Sequence, residues 1–345
     1  MRTLKWLLRP WGAAAAIPLL FLLTRSASAH VKWFCAYDIL GQPRGLENVL
    51  CPDFEGLTML AVGLLLTGCL IERTPLGDAM LRALDRVTAW FRANTELLIR
   101  AGCGFFLIAV WTTGGVLLTP ELKTQSPIVP WFQLALAAGL LWRQTMPLTA
   151  LGLAVLFGIA VKNYGLFHLA DYPVFLGVAV YLALTGLQRD FFGIRPIDIV
   201  RWSAGITLMW ASIEKWAYPE WSFPLFIQYP RMTLGFDPEF YMRAAGVIEF
   251  VLAFSLIWTS LVRRTAAIML TAMFTSAIFQ FGKIDAIGHM PIIVVLLAII
   301  GDDAPTAPSR LRHPVLAPFG YGAALAAFLA AYYLGHAYLV GPGSA

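Results

Sequence analysis

Charged side chains are scarce in this chain. They make up 13% of its 345 residues, whereas 59% are hydrophobic, and the mean hydropathy is +0.71. This composition excludes a soluble globular enzyme and indicates an integral membrane protein. The net charge of +5 does not indicate a nucleic-acid partner, because Lys and Arg occur in small groups between apolar runs. The sequence also lacks a Walker phosphate loop and the glycine fingerprint of nucleotide-binding folds.

Apolar runs suited to membrane helices occupy most of the chain. A helix needs roughly 20 residues to cross a bilayer, and fewer where it is surrounded by neighbours. The runs are 11–24, 56–71, 97–119, 128–142, 146–161, 172–187, 199–217, 244–262, 265–281, 287–301 and 315–335. We predict an all-α polytopic membrane protein with ten or eleven transmembrane helices.

The distribution of positive charge predicts the orientation. If the N-terminus lies in the cytoplasm, most of the 25 Lys and Arg residues fall in cytoplasmic loops. This predicts a multi-pass protein of the bacterial inner (plasma) membrane, in contact with membrane lipids, with a cytoplasmic N-terminus if the first helix is not cleaved. Of the five histidines, only His313 then lies inside, and His30, His168, His289 and His336 lie outside.

Residues 1–29 have two interpretations. Arg2, Lys5 and Arg9 precede an apolar run that ends in Ala27-Ser28-Ala29, the layout of a cleavable signal peptide. The alternative is an uncleaved anchor helix. Cleavage after Ala29 would make His30 the N-terminal residue, and its amine and ring together could then bind copper.

The exported segment 30–55 contains Cys35 and Cys51. In an oxidising compartment such a pair predicts a disulfide. A redox-active dithiol is the alternative, although the spacing is not Cys-x-x-Cys. Cys69 and Cys103 lie in apolar runs and are interpreted as packing residues.

An internal repeat organises the rest of the chain. Residues 133–142 (QLALAAGLLW) match residues 249–258 (EFVLAFSLIW), and the stretches 100–104 and 171–173 have counterparts at 201–205 and 289–291. Each copy holds four helices, so the two copies insert in parallel. The predicted divisions are 1–29, 30–55, a helix and cytoplasmic loop at 56–95, a first copy at 96–190, a second copy at 191–303 and a C-terminal helix at 304–345.

The second copy carries unusual polar residues at its predicted outer end. Ionisable groups inside a membrane are costly and usually functional. The candidate site residues are Glu214, Lys215, Glu249, Lys283, Asp285 and His289. The alternative is a purely structural set of ion pairs, such as Glu214 or Glu249 with Lys283. The first copy has Gln133 in place of Glu249 and retains His168 and Asp171.

Several of the histidines are candidate ligands of a metal ion or a haem. His30 and His168 are the candidate metal ligands, and His168, His289 and His336 are candidates for a haem site, although each of the three lies at a helix end.

The second copy resembles the DoxX/DoxD family of four-helix membrane proteins, and the first resembles a degenerate version of the same unit. The resemblance rests on Arg201–Gly205, Trp210, Glu214-Lys215, Ala245–Glu249, Arg263-Arg264 and Gly282-Lys283 through Pro291. It implies a compact four-helix unit associated with redox chemistry, since DoxD-type proteins are subunits of a thiosulfate:quinone oxidoreductase. By position, the residues it carries over are Glu214, Lys215, Glu249 and Lys283. The duplication, the exported segment and the flanking helices depart from the minimal unit.

Three functions follow as hypotheses. The first is a redox-associated subunit of a quinone-linked oxidoreductase that handles a quinone or small sulfur species at the outer face. The second is a non-enzymatic scaffold or assembly factor that recruits an exported redox or metal protein through the Cys35–Cys51 segment and the aromatic loop 217–243. The third is a transporter, although no polar path continues to the cytoplasmic face.

Overall fold

The protein is built of helices. The computed structural model describes residues 31–304 and 313–340, and in those ranges it contains helices and two isolated β-bridges but no strand. The helices are α1 (Leu46–Val49), α2 (Pro52–Ile71), α3 (Pro75–Val87), α4 (Ala89–Ala93), α5 (Thr95–Thr113), α6 (Ile128–Gly139), α7 (Met146–Tyr164), α8 (Leu166–Leu169), α9 (Pro173–Leu187), α10 (Pro196–Ala217), α11 (Phe223–Gln228), α12 (Pro238–Ser255), α13 (Ser260–Phe281), α14 (Lys283–Gly301) and α15 (Leu316–Leu339). Short 3-10 helices occur at Val31–Trp33, Arg143–Thr145, Pro219–Ser222 and Pro230–Thr233.

The fold is that of an all-α polytopic membrane protein, as predicted. Six helical segments in the described ranges are long and apolar enough to cross a membrane: Pro52–Ile71, Thr95–Thr113, Arg143–Tyr164, Ser260–Phe281, Lys283–Gly301 and Leu316–Leu339. The apolar helices α6 and α9 are shorter. Helices α10 and α12 coincide with the other predicted runs but carry several charges. The first predicted run, 11–24, and the predicted signal or anchor 1–29 lie outside the described residues.

Proline and glycine set several helix boundaries. Proline stands in the first turn of α2, α9, α10 and α12, where its missing N–H costs no hydrogen bond. The predicted run 97–119 is helical only to Thr113, because Gly114 and Gly115 have φ values of 68° and 62°. The residues that follow form a loop closed by a β-bridge between Val116 and Lys123.

Eight helices pack in chain order around a ring. The first quartet is α5, α6, α7 and α9, and the second is α10, α12, α13 and α14. Each helix packs on the next, and α14 closes the ring against α5. The last helix of each quartet therefore packs on the first helix of the other. This reciprocal arrangement is the one expected of two parallel copies, and the duplication itself stays a prediction from the sequence.

The remaining long helices lie against the second quartet. Helix α2 packs on α12 and α13, while α15 packs on α2, α10 and α12. Helices α5, α7, α10, α13 and α15 all finish at the same end of the bundle, which we call the cavity end. The segment from residue 31 to α2 also lies there, since the backbone N–H of Arg44 donates to the carbonyl of Ala217 at 2.9 Å.

The opposite end is held by buried arginines around one carboxylate. Arg195 donates to both oxygens of Asp302, at 2.9 Å and 3.1 Å. The guanidinium groups of Arg263 and Arg201 lie 3.5 Å and 3.7 Å from Asp302, and both are fully buried. Burial alone would raise the pKa of Asp302, but the Arg195 hydrogen bond and the neighbouring charges outweigh it and hold the pKa below its usual value. Ion pairs therefore fill this end of the bundle.

Candidate functional site

The centre of the cavity end is a buried lysine from the N-terminal segment. The Lys32 ammonium group bonds the carboxylate of Asp171, and its Nζ lies 2.5 Å from Oε1 of Glu214. Its side chain is fully buried, and the rings of Tyr37 and Trp221 lie within 6 Å of Nζ. Burial alone would lower the pKa of Lys32, but Asp171 and Glu214 outweigh burial and raise it well above its usual value. The ion pair therefore joins the N-terminal segment to both quartets.

Two hydrogen bonds hold this segment over the bundle. The Tyr218 hydroxyl donates to the carbonyl of Gly41 at 2.8 Å, and the Tyr333 hydroxyl donates to the carbonyl of Arg44 at 2.6 Å. The segment predicted as an exported extension is therefore an integral part of the cavity end.

His289 is oriented by a carboxylate and two aromatic rings. Its Nδ1 lies 3.0 Å from Oδ2 of Asp285, one turn earlier on α14. The imidazole lies between the ring of Trp33, at 4.7 Å between centroids, and that of Phe274, at 4.6 Å. Gly288 makes room for the Trp33 ring, since a Cβ there would lie 2.1 Å from it. With Nδ1 engaged by Asp285, Nε2 is the nitrogen left for a ligand.

A second ion pair joins α10 to α12. The ammonium group of Lys215 lies 2.7 Å from Oε2 of Glu249, and the Glu249 side chain is 5% exposed. The structural alternative predicts an ion pair of Glu214 or Glu249 with Lys283, and that pairing is wrong. Glu249 pairs with Lys215, and Glu214 pairs with Lys32.

Lys283 does not join the other predicted site residues. It is exposed, and it makes no ion pair with any residue in the described ranges. The reason is helical geometry: α14 begins at Lys283, and Asp285 follows it by about 200° of rotation. Because Asp285 and His289 face the bundle, Lys283 faces outward.

One cavity connects the remaining groups. It has a volume of about 80 Å³, enough for roughly two or three water molecules at about 30 Å³ each. Glu214, Lys215, Glu249 and His289 line it, together with Asp171 of the first quartet. Its aromatic lining consists of Trp33, Tyr172, Phe175, Tyr218, Trp221 and Phe274. Tyr218 and Trp221 stack with their centroids 4.1 Å apart.

A polar network adjoins the cavity in the first quartet. Nε2 of His168 lies 2.8 Å from Oε1 of Glu121, and the Tyr172 hydroxyl bonds the same oxygen. Nε2 of His168 is therefore engaged by a carboxylate. No cluster of His, Cys, Asp or Glu suited to a metal ion occurs among the residues that the structure describes. The other metal candidate, His30, lies outside them.

Carboxylates outnumber cations in this region. The buried acidic residues are Glu121, Asp171, Glu214, Glu249 and Asp285. In the described part of the chain, the lysines paired with them are Lys32 and Lys215. Ionisable side chains are therefore concentrated at the cavity end, where burying unpaired negative charge would be costly.

The predicted disulfide is not formed. Cys35 and Cys51 are both free thiols. Cys35 packs beside Leu225 and Phe226, whereas Cys51 precedes α2 and packs on the main core. The two thiols are thus held against different apolar clusters. Burial raises the pKa of the Cys35 thiol.

The sequence patterns did not identify Lys32, Trp33, Glu121 or Tyr172, and they identified Asp171 only as a residue retained in the first copy. Lys32 and Trp33 directly follow the predicted cleavage site, where His30 was the candidate instead. Asp171 had a usable signal, because the repeat aligns it with His289.

No protein-family model, curated protein or solved structure matches this chain. The DoxX/DoxD resemblance therefore rests on the sequence motifs alone.

Proposed function

We propose that this protein binds a quinone headgroup, or a small sulfur species, in the cavity as part of a quinone-linked redox system. The observation that carries the proposal is the combination of aromatic walls with the Asp285–His289 pair in one buried cavity. We also propose that the cavity end faces the outside of a bacterial plasma membrane, and that the chain is a divergent DoxX/DoxD-like protein.

The chemistry of quinones fits these groups. Reduction of a quinone to a quinol adds two electrons and two protons, and each carbonyl oxygen accepts hydrogen bonds. Nε2 of His289 and the ammonium group of Lys215 are donors in the cavity lining. Asp285 holds the His289 ring in place through Nδ1. The electrons come from a reduced sulfur compound or a redox partner.

The size of the cavity limits the ligand. About 80 Å³ accommodates a small oxyanion or part of a quinone ring, since a cavity that binds benzene has about 150 Å³, so the rest of the ring and its isoprenoid tail would extend away from the site toward the lipid. The stacked rings of Tyr218 and Trp221 provide a flat apolar surface for a planar headgroup.

A binding measurement tests this proposal. The purified full-length protein is titrated with a short-tailed 1,4-benzoquinone while tryptophan fluorescence is recorded, because Trp33 and Trp221 line the cavity. We expect His289→Ala and Lys215→Met each to weaken binding by roughly tenfold or more, the scale of a lost charged hydrogen bond. Lys283→Ala is the matched control, since Lys283 is exposed. Binding that is unchanged in both cavity variants would refute the proposal.

A second candidate function is a scaffold for an exported redox or metal protein. It is favoured by apolar side chains exposed at the cavity end, namely Ile227, Leu234 and Phe236. Replacing Ile227 and Phe236 with serine should then abolish co-purification of one stoichiometric partner from native membranes. Recovery of the protein alone, with and without these changes, would count against it.

A further inference from the structure

The network in the first quartet leads from the cavity toward the surface. Tyr172 lines the cavity and bonds Glu121, which in turn bonds His168. The His168 ring lies against the rings of Tyr37 and Tyr164, at 5.7 Å and 5.6 Å between centroids. Both tyrosines are partly exposed. One layer of side chains therefore separates His168 from the outside.

The loop that carries Glu121 is fixed by its own hydrogen bonds. The Gln133 side chain donates to the carbonyls of Val116 and Leu117, at 2.7 Å each. The backbone N–H of Leu117 donates to the carbonyl of Leu122 at 2.7 Å. Glu121 is thereby held between His168 and Tyr172, and its side chain is 1% exposed. A carboxylate buried between a phenol and an imidazole is positioned for proton exchange with both.

We infer that His168, Glu121 and Tyr172 form a proton relay that supplies the cavity from the outer surface. This inference rests on the proposed function, because a quinone that is reduced in the cavity must receive its protons through the protein. A proton enters at His168 and passes from Nε2 to Oε1 of Glu121. Tyr172 gives its hydroxyl proton to the reduced ligand oxygen and takes the Glu121 proton in return. The net change is one proton moved, and the relay moves no electrons.

Two buried residues nearby provide matched controls. Tyr332 and His336 lie on α15 at the same end and are as buried as Tyr172 and His168. Both rings contact Phe167, at 5.1 Å and 5.4 Å between centroids. Within the described part of the chain, the Tyr332 hydroxyl and Nε2 of His336 have no hydrogen-bond partner. They are the same residue types in a similar setting, but they are outside the path.

The experiment measures proton uptake when bound quinone is reduced. The full-length protein carries a short-tailed 1,4-benzoquinone as probe, two equivalents of reduced methyl viologen supply the two electrons without releasing protons, and a pH indicator follows proton uptake by stopped flow. We expect Glu121→Gln and Tyr172→Phe to slow uptake by about 100-fold, the scale of a lost acid–base group. Tyr332→Phe and His336→Gln should leave the rate unchanged. Probe affinity should stay within about twofold of wild type in Glu121→Gln, Tyr332→Phe and His336→Gln, because none of these three removes a donor that contacts the ligand.

The outcomes separate the relay from the site. Wild-type uptake rates in Glu121→Gln and Tyr172→Phe, with the probe still bound, would overturn the relay and leave the proposed function standing. Failure of the wild-type protein to bind the probe would overturn both. A slower rate accompanied by loss of the solvent deuterium isotope effect would indicate a structural change and also overturn the relay. If one of the two variants does not fold, the other decides.

Discussion

Replacing Lys32 with methionine tests the central ion pair of the cavity end. Met has a similar length and no charge, so Lys32→Met leaves the carboxylates of Asp171 and Glu214 buried without their cation. Both carboxylates contact the same nitrogen, so their oxygens are at most about 5 Å apart, where two charges repel by roughly 3 kcal/mol at an effective dielectric of about 20. Removing one partner of a buried pair costs about 3–5 kcal/mol. We expect a loss of that size in the free energy of unfolding at neutral pH.

Lys32 sets the pH dependence of the wild-type ion pair. Against the effect of burial, the carboxylates of Asp171 and Glu214 raise the pKa of Lys32 above its usual value, so the contribution of the pair persists as pH rises and is lost only when pH passes that raised value. The difference in stability between wild type and Lys32→Met should therefore remain across the alkaline range.

The assay is unfolding in a denaturing detergent, monitored by circular dichroism from neutral to alkaline pH. The triple variant Lys32→Met, Asp171→Asn, Glu214→Gln should recover most of the loss, because a neutral buried set has no uncompensated charge. Lys123→Met is the control, since Lys123 is exposed. A Lys32→Met protein as stable as wild type at neutral pH, or a triple variant no more stable than the single one, would refute the reasoning.

Three further predictions concern other parts of the molecule. Gly288→Ala should displace the Trp33 ring, because its Cβ would lie 2.1 Å from that ring; we expect a loss of about 1–3 kcal/mol and a shifted tryptophan emission. Asp302→Asn should destabilise the protein by about 3 kcal/mol at pH 7; because its folded pKa is lowered, the difference from wild type should disappear as pH falls through that value. Cys35 and Cys51 should both be alkylated in the denatured protein without reductant, as intact mass would record.

Each of these has its own control. Gly322→Ala should be silent, since nothing lies within 4 Å of its added Cβ, and an equal loss at both glycines would contradict the packing argument. Asp303→Asn changes a carboxylate that is 44% exposed, and it should cost less than Asp302→Asn at neutral pH. A mass showing two unlabelled cysteines would restore the disulfide predicted from the sequence.

The sequence contained enough information for the helices and for half of the cavity. Apolar runs reflect a local requirement, the thickness of a bilayer, so their positions could be read directly. Glu214, Lys215, Glu249 and His289 were identifiable because ionisable groups are rare in apolar sequence. Their grouping at one end followed from the alternation of helix direction.

The errors concern partners and helix faces. Lys32 bonds residues that are 139 and 182 positions away, and no periodic pattern encodes a contact over that distance. Lys283 was predicted from its place in the second copy and from the family resemblance, although its position on α14 directs it away from Asp285. The disulfide was inferred from compartment and spacing, which leave open how each thiol packs.

The connection of Lys32 to Asp171 and Glu214 has a consequence for biogenesis. Lys32 is synthesised before either partner, and it can be neutralised only after α9 and α10 have been made and inserted. A nascent chain that ends before residue 214 keeps this ammonium group without its full set of partners. The ion pair is therefore complete only when the N-terminal segment and both quartets have come together. A chain truncated before Glu214 would keep Lys32 without this partner.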